Sequence, residues 1–234
     1  TVHLTPAELP EVLGPAKFSH DTANRKPEVG VITGLAWTPV GGDVMFIETR
    51  KYQGKGELRL TGQLGDVMKE SATAAHSWVR SNAARLGIEH EHIAATDLHV
   101  HLHQGAVKKD GPSAGVALTV ALVSALSGRP IRNDIAITGE VDLRGNALPV
   151  GGIKEKLLAA HRAGIKIVFI PAKNEKDLLD IPAEIRAELD IRLMTKIDDA
   201  LAVALEAAPP KPDAPPAMPP PAAPGGKLVS DTLS

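Results

Sequence analysis

Asp110-Gly111-Pro112-Ser113-Ala114-Gly115 separates two unlike stretches of this chain. A polar, strand-like segment, residues 96–104, runs towards it, and a nearly continuous apolar run, residues 116–126, leaves it. Ser113 therefore stands where a loop turns into a buried helix. The first backbone N–H groups of a helix lack intrahelical partners, and the dipole at that end favours negative charge. Such a turn can hold an oxyanion beside a hydroxyl. Gly111 and Gly115 let another backbone approach closely. The competing reading makes Ser113 a cap of the helix and nothing more.

Working outward, the same alternation of strand and helix recurs on both sides. Upstream, residues 29–37 are β-like, with Gly30 and Gly34 as bends or bulges. Gly41-Gly42 reads as a turn, and residues 43–51 and 57–61 as a hairpin around Gly54-Lys55-Gly56. Residues 64–86 read as one long helix: Val67, Met68, Ser71, Ala72, Ala75, Trp78 and Val79 recur at helical spacing, Gly87 stops it, and Trp78 faces the core. Residues 96–103 alternate, with Leu98, Val100 and Leu102 on one side and His99, His101 and His103 on the other. Three imidazoles on one strand face are a conceivable zinc site, but no fourth ligand is evident nearby.

Downstream, residues 134–141 predict a short strand. Residues 153–163 predict a helix after Gly151-Gly152. The apolar run 165–170 suits the middle of a covered sheet. Residues 177–189 are mostly helical with a break at Pro182, 191–194 a strand and 197–207 a last helix. Strands alternating with helices predict a mixed α/β domain over residues 29–207. Residues 1–28 read as a linker or the remnant of an upstream module. Residues 208–234 read as a Pro-rich tail whose composition cannot build a core.

The totals narrow the function. Of 234 residues about 180 belong to the domain, enough for one full core. With few aromatics, Leu, Val, Ile and Ala must fill that core. A net charge of −2 offers no electrostatic case for nucleic acid or an anionic membrane. There is no Cys, which removes disulfides, thiol nucleophiles and Cys-based metal sites. No apolar run is long enough to span a membrane, and Thr1-Val2-His3-Leu4 does not open a signal peptide.

A Ser nucleophile needs a base. Gly111-Pro112-Ser113-Ala114-Gly115 fits G-x-S-x-G, the nucleophile elbow of Ser–His hydrolases. That reading requires a strand running straight into the turn, and a downstream acid and His. His161 is the one His after Ser113, with Asp142 as its conceivable partner, and His161 falls mid-helix. The alternative is a lysine, which acts as base only when neutral and so needs an apolar site. Lys154 and Lys156 both qualify. At about 100° per residue, each lies roughly 60° to 80° from the face centred on Ile153, Leu157 and Ala160, on opposite sides. The wheel does not choose, and either could instead be a surface lysine.

A resemblance does choose. Lys109 to Gly115, Thr138-Gly139-Glu140-Val141, Leu143-Arg144-Gly145, the run from Leu148 to Lys156, and Gly34-Leu35-Ala36-Trp37-Thr38 together resemble the proteolytic domain of the ATP-dependent Lon protease, in the same order. The resemblance implies a Lon-type protease domain with mixed sheets and packed helices. It implies a serine endopeptidase with a Ser113–Lys156 dyad, with Thr138 holding the lysine, Asp110 beside the nucleophile, Glu140 in support, and Trp37 on the segment lining the substrate groove. It further implies unfolded or misfolded protein substrates, a homo-hexamer in the cytoplasm, and ATP with Mg only in an ATPase module. No G-x-x-x-x-G-K-[ST] occurs in this chain, so no cofactor is expected here. His103, Gln104 and Lys108 depart from the family pattern in the loop before the nucleophile. Two other classes stay open: a Ser–His esterase, and an inactive homologue serving as a scaffold.

Overall fold

Strand-forming residues come in two kinds of run, and each has its own half of one sheet. The computed structural model describes residues 5, 9–14, 26–38, 41–103 and 110–207. In chain order, helix α1 (Leu9–Leu13) precedes strands β1 (Glu28–Val29), β2 (Val31–Thr38), β3 (Gly41–Gln53) and β4 (Leu58–Thr61). Helix α2 (Asp66–Ser81), a 3-10 turn (Ala84–Leu86) and α3 (His90–Ala94) lead to β5 (Thr96–His103). After α4 (Gly115–Ser127) come β6 (Pro130–Ile131), β7 (Ile135–Ile137), β8 (Glu140–Val141) and β9 (Ala147–Leu148). Then follow α5 (Ile153–Arg162), β10 (Ile167–Pro171), a 3-10 helix (Ala172–Asp180), α6 (Ala183–Glu188), β11 (Asp190–Met194) and α7 (Ile197–Ala204).

Seven strands form a mixed sheet in the order β11-β10-β7-β2-β3-β5-β4. From β11 to β2 neighbours are parallel. From β2 through β3 to β5 they are antiparallel, and β4 joins β5 in parallel. The parallel half is covered on both faces: α4, α2 and α7 share one apolar cluster with it, and α5 with Ile181 and Leu189 forms the other. Hence β7 and β10 are buried at every residue, as their unbroken apolar sequences demand. In the antiparallel half, Leu98, Val100 and Leu102 point into the core, while the three histidines of β5 lie on the open face. Helix α4 is buried from Gly115 to Leu126, which is why it has no polar stripe. Its buried hydroxyls are satisfied: Thr119 donates to the Gly115 carbonyl at 2.9 Å, and Ser124 donates to the Arg129 carbonyl at 2.5 Å while accepting the Gly30 N–H at 2.8 Å.

Several sequence expectations need correction. The stretches 43–51 and 57–61 do not pair with each other; β5 lies between β3 and β4. Asp97 braces that arrangement. Its Oδ1 accepts the N–H groups of Lys55 and Glu57 at 2.7 and 2.9 Å, wrapping the 54–57 turn around the start of β5. These bonds hold the Asp97 carboxyl below its usual range. Gly41 and Gly42 are no turn: they open β3, paired with Thr38 and Trp37. The long helix stops at Ser81, and its last part is the separate 3-10 turn closed by Gly87 at φ +71°. The strand over 134–141 breaks at Thr138-Gly139, where β7 leaves the main sheet and β8 begins a small pairing with β9. Residues 172–180 form a 3-10 helix, and β10 lies one strand from the sheet edge, not at its middle. Within the segment read as a linker, Leu9–Leu13 is helical, and the segment's last residue, Glu28, pairs with Ile131 of β6. The Pro-rich tail lies outside the described residues.

Candidate active site

The loop carrying Ser113 is held by α2. Helix α2 begins after Gly65, which has no side chain to cap it. Asp110 caps it from outside, its Oδ1 accepting the Met68 N–H at 3.2 Å and its own neighbour Gly111 N–H at 3.0 Å. A Cβ on Gly65 would lie 2.1 Å from the Asp110 carboxyl carbon, so the glycine makes room for that cap. Ser71 Oγ adds a bond to the Pro112 carbonyl at 3.4 Å. Gly111 turns the chain at φ +126°, a region that favours glycine. The N-cap of α4 is Ala114, without a side-chain capping bond. Ser113 precedes it, so the plain helix-cap reading of Ser113 fails. The backbone N–H groups of Ser113 and Ala114 have no hydrogen-bond partner among the described residues, whereas Gly115 and Val116 donate to Pro112 and Gly139.

The base side of the site comes from α5. Lys156 is buried at 2% exposure, whereas Lys154 is exposed. The Lys156 Nζ donates to Thr138 Oγ1 at 3.0 Å. Thr138 is fully buried, and its hydroxyl in turn donates to the Ser113 carbonyl at 3.4 Å. The Gly139 N–H holds the same carbonyl at 2.8 Å. The break in the strand at Thr138-Gly139 thus ties the Ser113 turn to the Lys156 side chain. Burial lowers the Lys156 ammonium from 10.5 to about 8, and among the described residues no carboxylate pairs with it. A hydroxyl partner accepts an N–H from either the charged or the neutral amine, so Thr138 leaves the lysine free to exchange its proton.

Ser113 and Lys156 line one cleft of about 670 Å³ with Asp110 and Trp37. Its other walls are mostly apolar: Ala36, Met45, Met68, Pro112, Pro149 and Val150. Strand β7 stops opposite Gly34, so Ala36 and Trp37, which line the cleft, lie beyond it with no strand on that side among the described residues. Trp37 is 57% exposed and packs on Gly152, whose Cβ would lie 2.7 Å from the Trp37 Cβ. Gly152, at φ +69°, begins α5. Trp78, by contrast, is core.

Other candidates lie apart. Glu140 is half-buried on β8, paired with Leu148, and does not line the cleft. His161 Nε2 meets Glu188 Oε2 on α6 at 2.7 Å, while Asp142 is bound to Arg144 and Asn146. Those bonds, led by Asn146, hold Asp142 at about 2 against the opposing effect of its burial. The Ser–His arrangement is therefore not assembled. His99 Nε2 and His101 Nδ1 both meet the Thr61 hydroxyl, at 2.9 and 2.8 Å, and among the described residues no group of three side chains could hold a metal ion. Gln104 and Lys108 lie outside the described residues. Nor is any described helix long and apolar enough to cross a membrane.

Known proteins resemble this chain over most of its length. The profile of the Lon protease (S16) C-terminal proteolytic domain matches residues 3–207. A Lon protease of Anaeromyxobacter dehalogenans is 59% identical over 200 residues, covering 86% of this chain and 24% of the relative. That of Geobacter metallireducens is 54% identical over 211 residues, 90% of this chain and 26% of the relative. Lon protease 2 of Myxococcus xanthus is 56% identical over 199 residues, 85% and 24%. The chain thus spans about a quarter of the length of the curated relatives it matches.

Proposed function

The chain belongs to the Lon protease C-terminal proteolytic domain family, and on that premise we propose that it is a serine endopeptidase working through a Ser113–Lys156 dyad. The observation that carries the reading is the burial of Lys156 in the cleft that Ser113 lines, joined to the Ser113 turn through Thr138. Neutral Lys156 takes the Ser113 proton, and the alkoxide attacks a peptide carbonyl. The Ser113 and Ala114 N–H groups receive the oxyanion. Lys156 returns the proton to the leaving amine, and water, activated by the same lysine, hydrolyses the acyl-enzyme. An extended substrate would add along the open side of β2 beneath Trp37, and the apolar walls favour an apolar side chain there. Unfolded chains fit that requirement because they expose apolar side chains and unpaired backbone together. The hexamer, and the ATP-dependent unfolding implied by the resemblance, we assign to the longer protein.

The reading is tested by labelling. A fluorophosphonate should modify Ser113 in the wild type and not in Lys156→Ala. Ser113→Ala and Lys156→Ala should lose peptide cleavage to a similar extent, because the two residues act as a unit. His161→Ala should keep most activity. Folded Lys156→Ala with near-normal turnover would sink the assignment, and hydrolysis of esters without peptides would favour an esterase.

A further inference from the structure

The dyad leaves one buried polar side chain beside the cleft unexplained. Asn174 lies in the 3-10 helix after β10 and is 4% exposed. Its Oδ1 accepts the Val150 N–H at 3.0 Å, and its Nδ2 donates to the Val150 carbonyl at 2.9 Å. The second Nδ2 hydrogen goes to Asp177 Oδ2 at 2.6 Å. One amide thus holds both main-chain groups of Val150, as a neighbouring strand would. Pro149, Val150, Gly151 and Gly152 all line the cleft, and α5, which carries Lys156, begins after them with no side-chain cap. Among the described residues, no other side chain is hydrogen-bonded to the main chain of residues 149–152.

We infer that Asn174 is a positioning residue that sets the Pro149–Val150 wall against which the substrate side chain is read, resting on the peptidase reading above. Only an amide fits the role. It must present an acceptor to the Val150 N–H and donors to two oxygens at once. A carboxylate would face the Val150 carbonyl and Asp177 with no hydrogen to offer. Asp177 prevents the amide from flipping, since its carboxylate accepts only from the Nδ2 side. Asn174 touches no reacting atom, so its loss should misplace the wall without disarming Ser113.

Asn174→Asp and Asn174→Ala in the full 234-residue chain test this. The expected result is a fall in kcat/KM for an apolar peptide of about tenfold to 100-fold, mostly through KM. Phosphonylation of Ser113 by a small fluorophosphonate, which needs no wall, should change by less than about threefold. Hydrogen exchange at the Val150 amide should quicken more than about tenfold, while the β10 amides stay protected. Asp177→Ala keeps the amide but frees it to turn, and should shift KM in the same direction by a smaller factor if the Asn174 variants do not fold. An unchanged KM, unchanged exchange at Val150, or phosphonylation falling in step with peptide cleavage overturns the inference. A wild-type chain that neither cleaves peptides nor reacts with the probe overturns the peptidase reading and this assignment with it; an active wild type with indifferent variants overturns this assignment alone.

Discussion

Lys156 carries opposite consequences for activity and for stability. Its folded value of about 8 lies below the ordinary 10.5 because burial disfavours the ammonium. Turnover should therefore rise with pH and level off above about 8, as the folded lysine becomes neutral; a plateau already complete at pH 6 would contradict a lysine base. Between about 8 and 10.5 the unfolded chain binds the proton that the folded chain lacks, so stability rises with pH across that window. Below it, the buried charge costs the fold up to about 3 kcal/mol. Lys156→Met should thus be inactive yet more stable at pH 7, by about 1–3 kcal/mol in denaturant midpoints, with the gain fading towards pH 10.5. Thr49 is a second site of this kind. Its hydroxyl is buried at 1% exposure with no partner among the described residues. Thr49→Val removes that unpaired group and should stabilise by about 1 kcal/mol, and a loss of stability would show that the hydroxyl is bonded.

At the scale of elements, the site depends on how closely the β2–β3 hairpin presses on α5. Gly42 sits against that helix so tightly that a Cβ would come within 1.9 Å of the Glu155 carbonyl oxygen. Arg162, at the far end of α5, donates to the Gly42 carbonyl at 2.8 Å. The hairpin carrying Trp37 and the helix carrying Lys156 are thereby joined at two points. Gly42→Ala forces backbone from backbone and should cost about 1–3 kcal/mol. It should also depress peptide cleavage, because α5 cannot shift without moving Lys156. A variant with wild-type melting and turnover would show that the contact yields freely.

For the whole molecule, the two halves of the sheet divide the work. The doubly covered parallel half anchors α4 and α5 in separate apolar clusters, and the Ser113 turn before α4 and Lys156 of α5 both line the cleft. The antiparallel half extends β2 and β3 past the end of β7, leaving a side of β2 open where an extended chain can lie. This chain contains no phosphate-binding loop. ATP should accordingly leave its cleavage of unstructured peptides unchanged and should not enable it to degrade a stable folded protein. ATP-stimulated proteolysis by the purified chain would contradict this.

Local sequence alone determined much of this arrangement. The alternation of β5, the apolar run of β10 and the uninterrupted burial of α4 are periodicities written in consecutive residues, which no packing partner is needed to read. The turn at Ser113 was legible for the same reason, since a glycine-rich loop before an apolar run has few local conformations. The sheet order was not. That β4 pairs with β5 and not β3 is a contact between segments some forty residues apart, where Asp97 accepts the Lys55 and Glu57 N–H groups. Nor did the helical wheel separate Lys154 from Lys156, because both flank the buried face equally. Only the packing of α5 against β2 and β3 buries one flank and leaves the other in water. Asn174 had no motif to mark it: an asparagine after a strand reads as loop polarity until the fold sets the Val150 main chain beside it. Pairwise contacts between distant segments are set by how layers stack, and stacking is a property of the whole core rather than of any stretch of sequence.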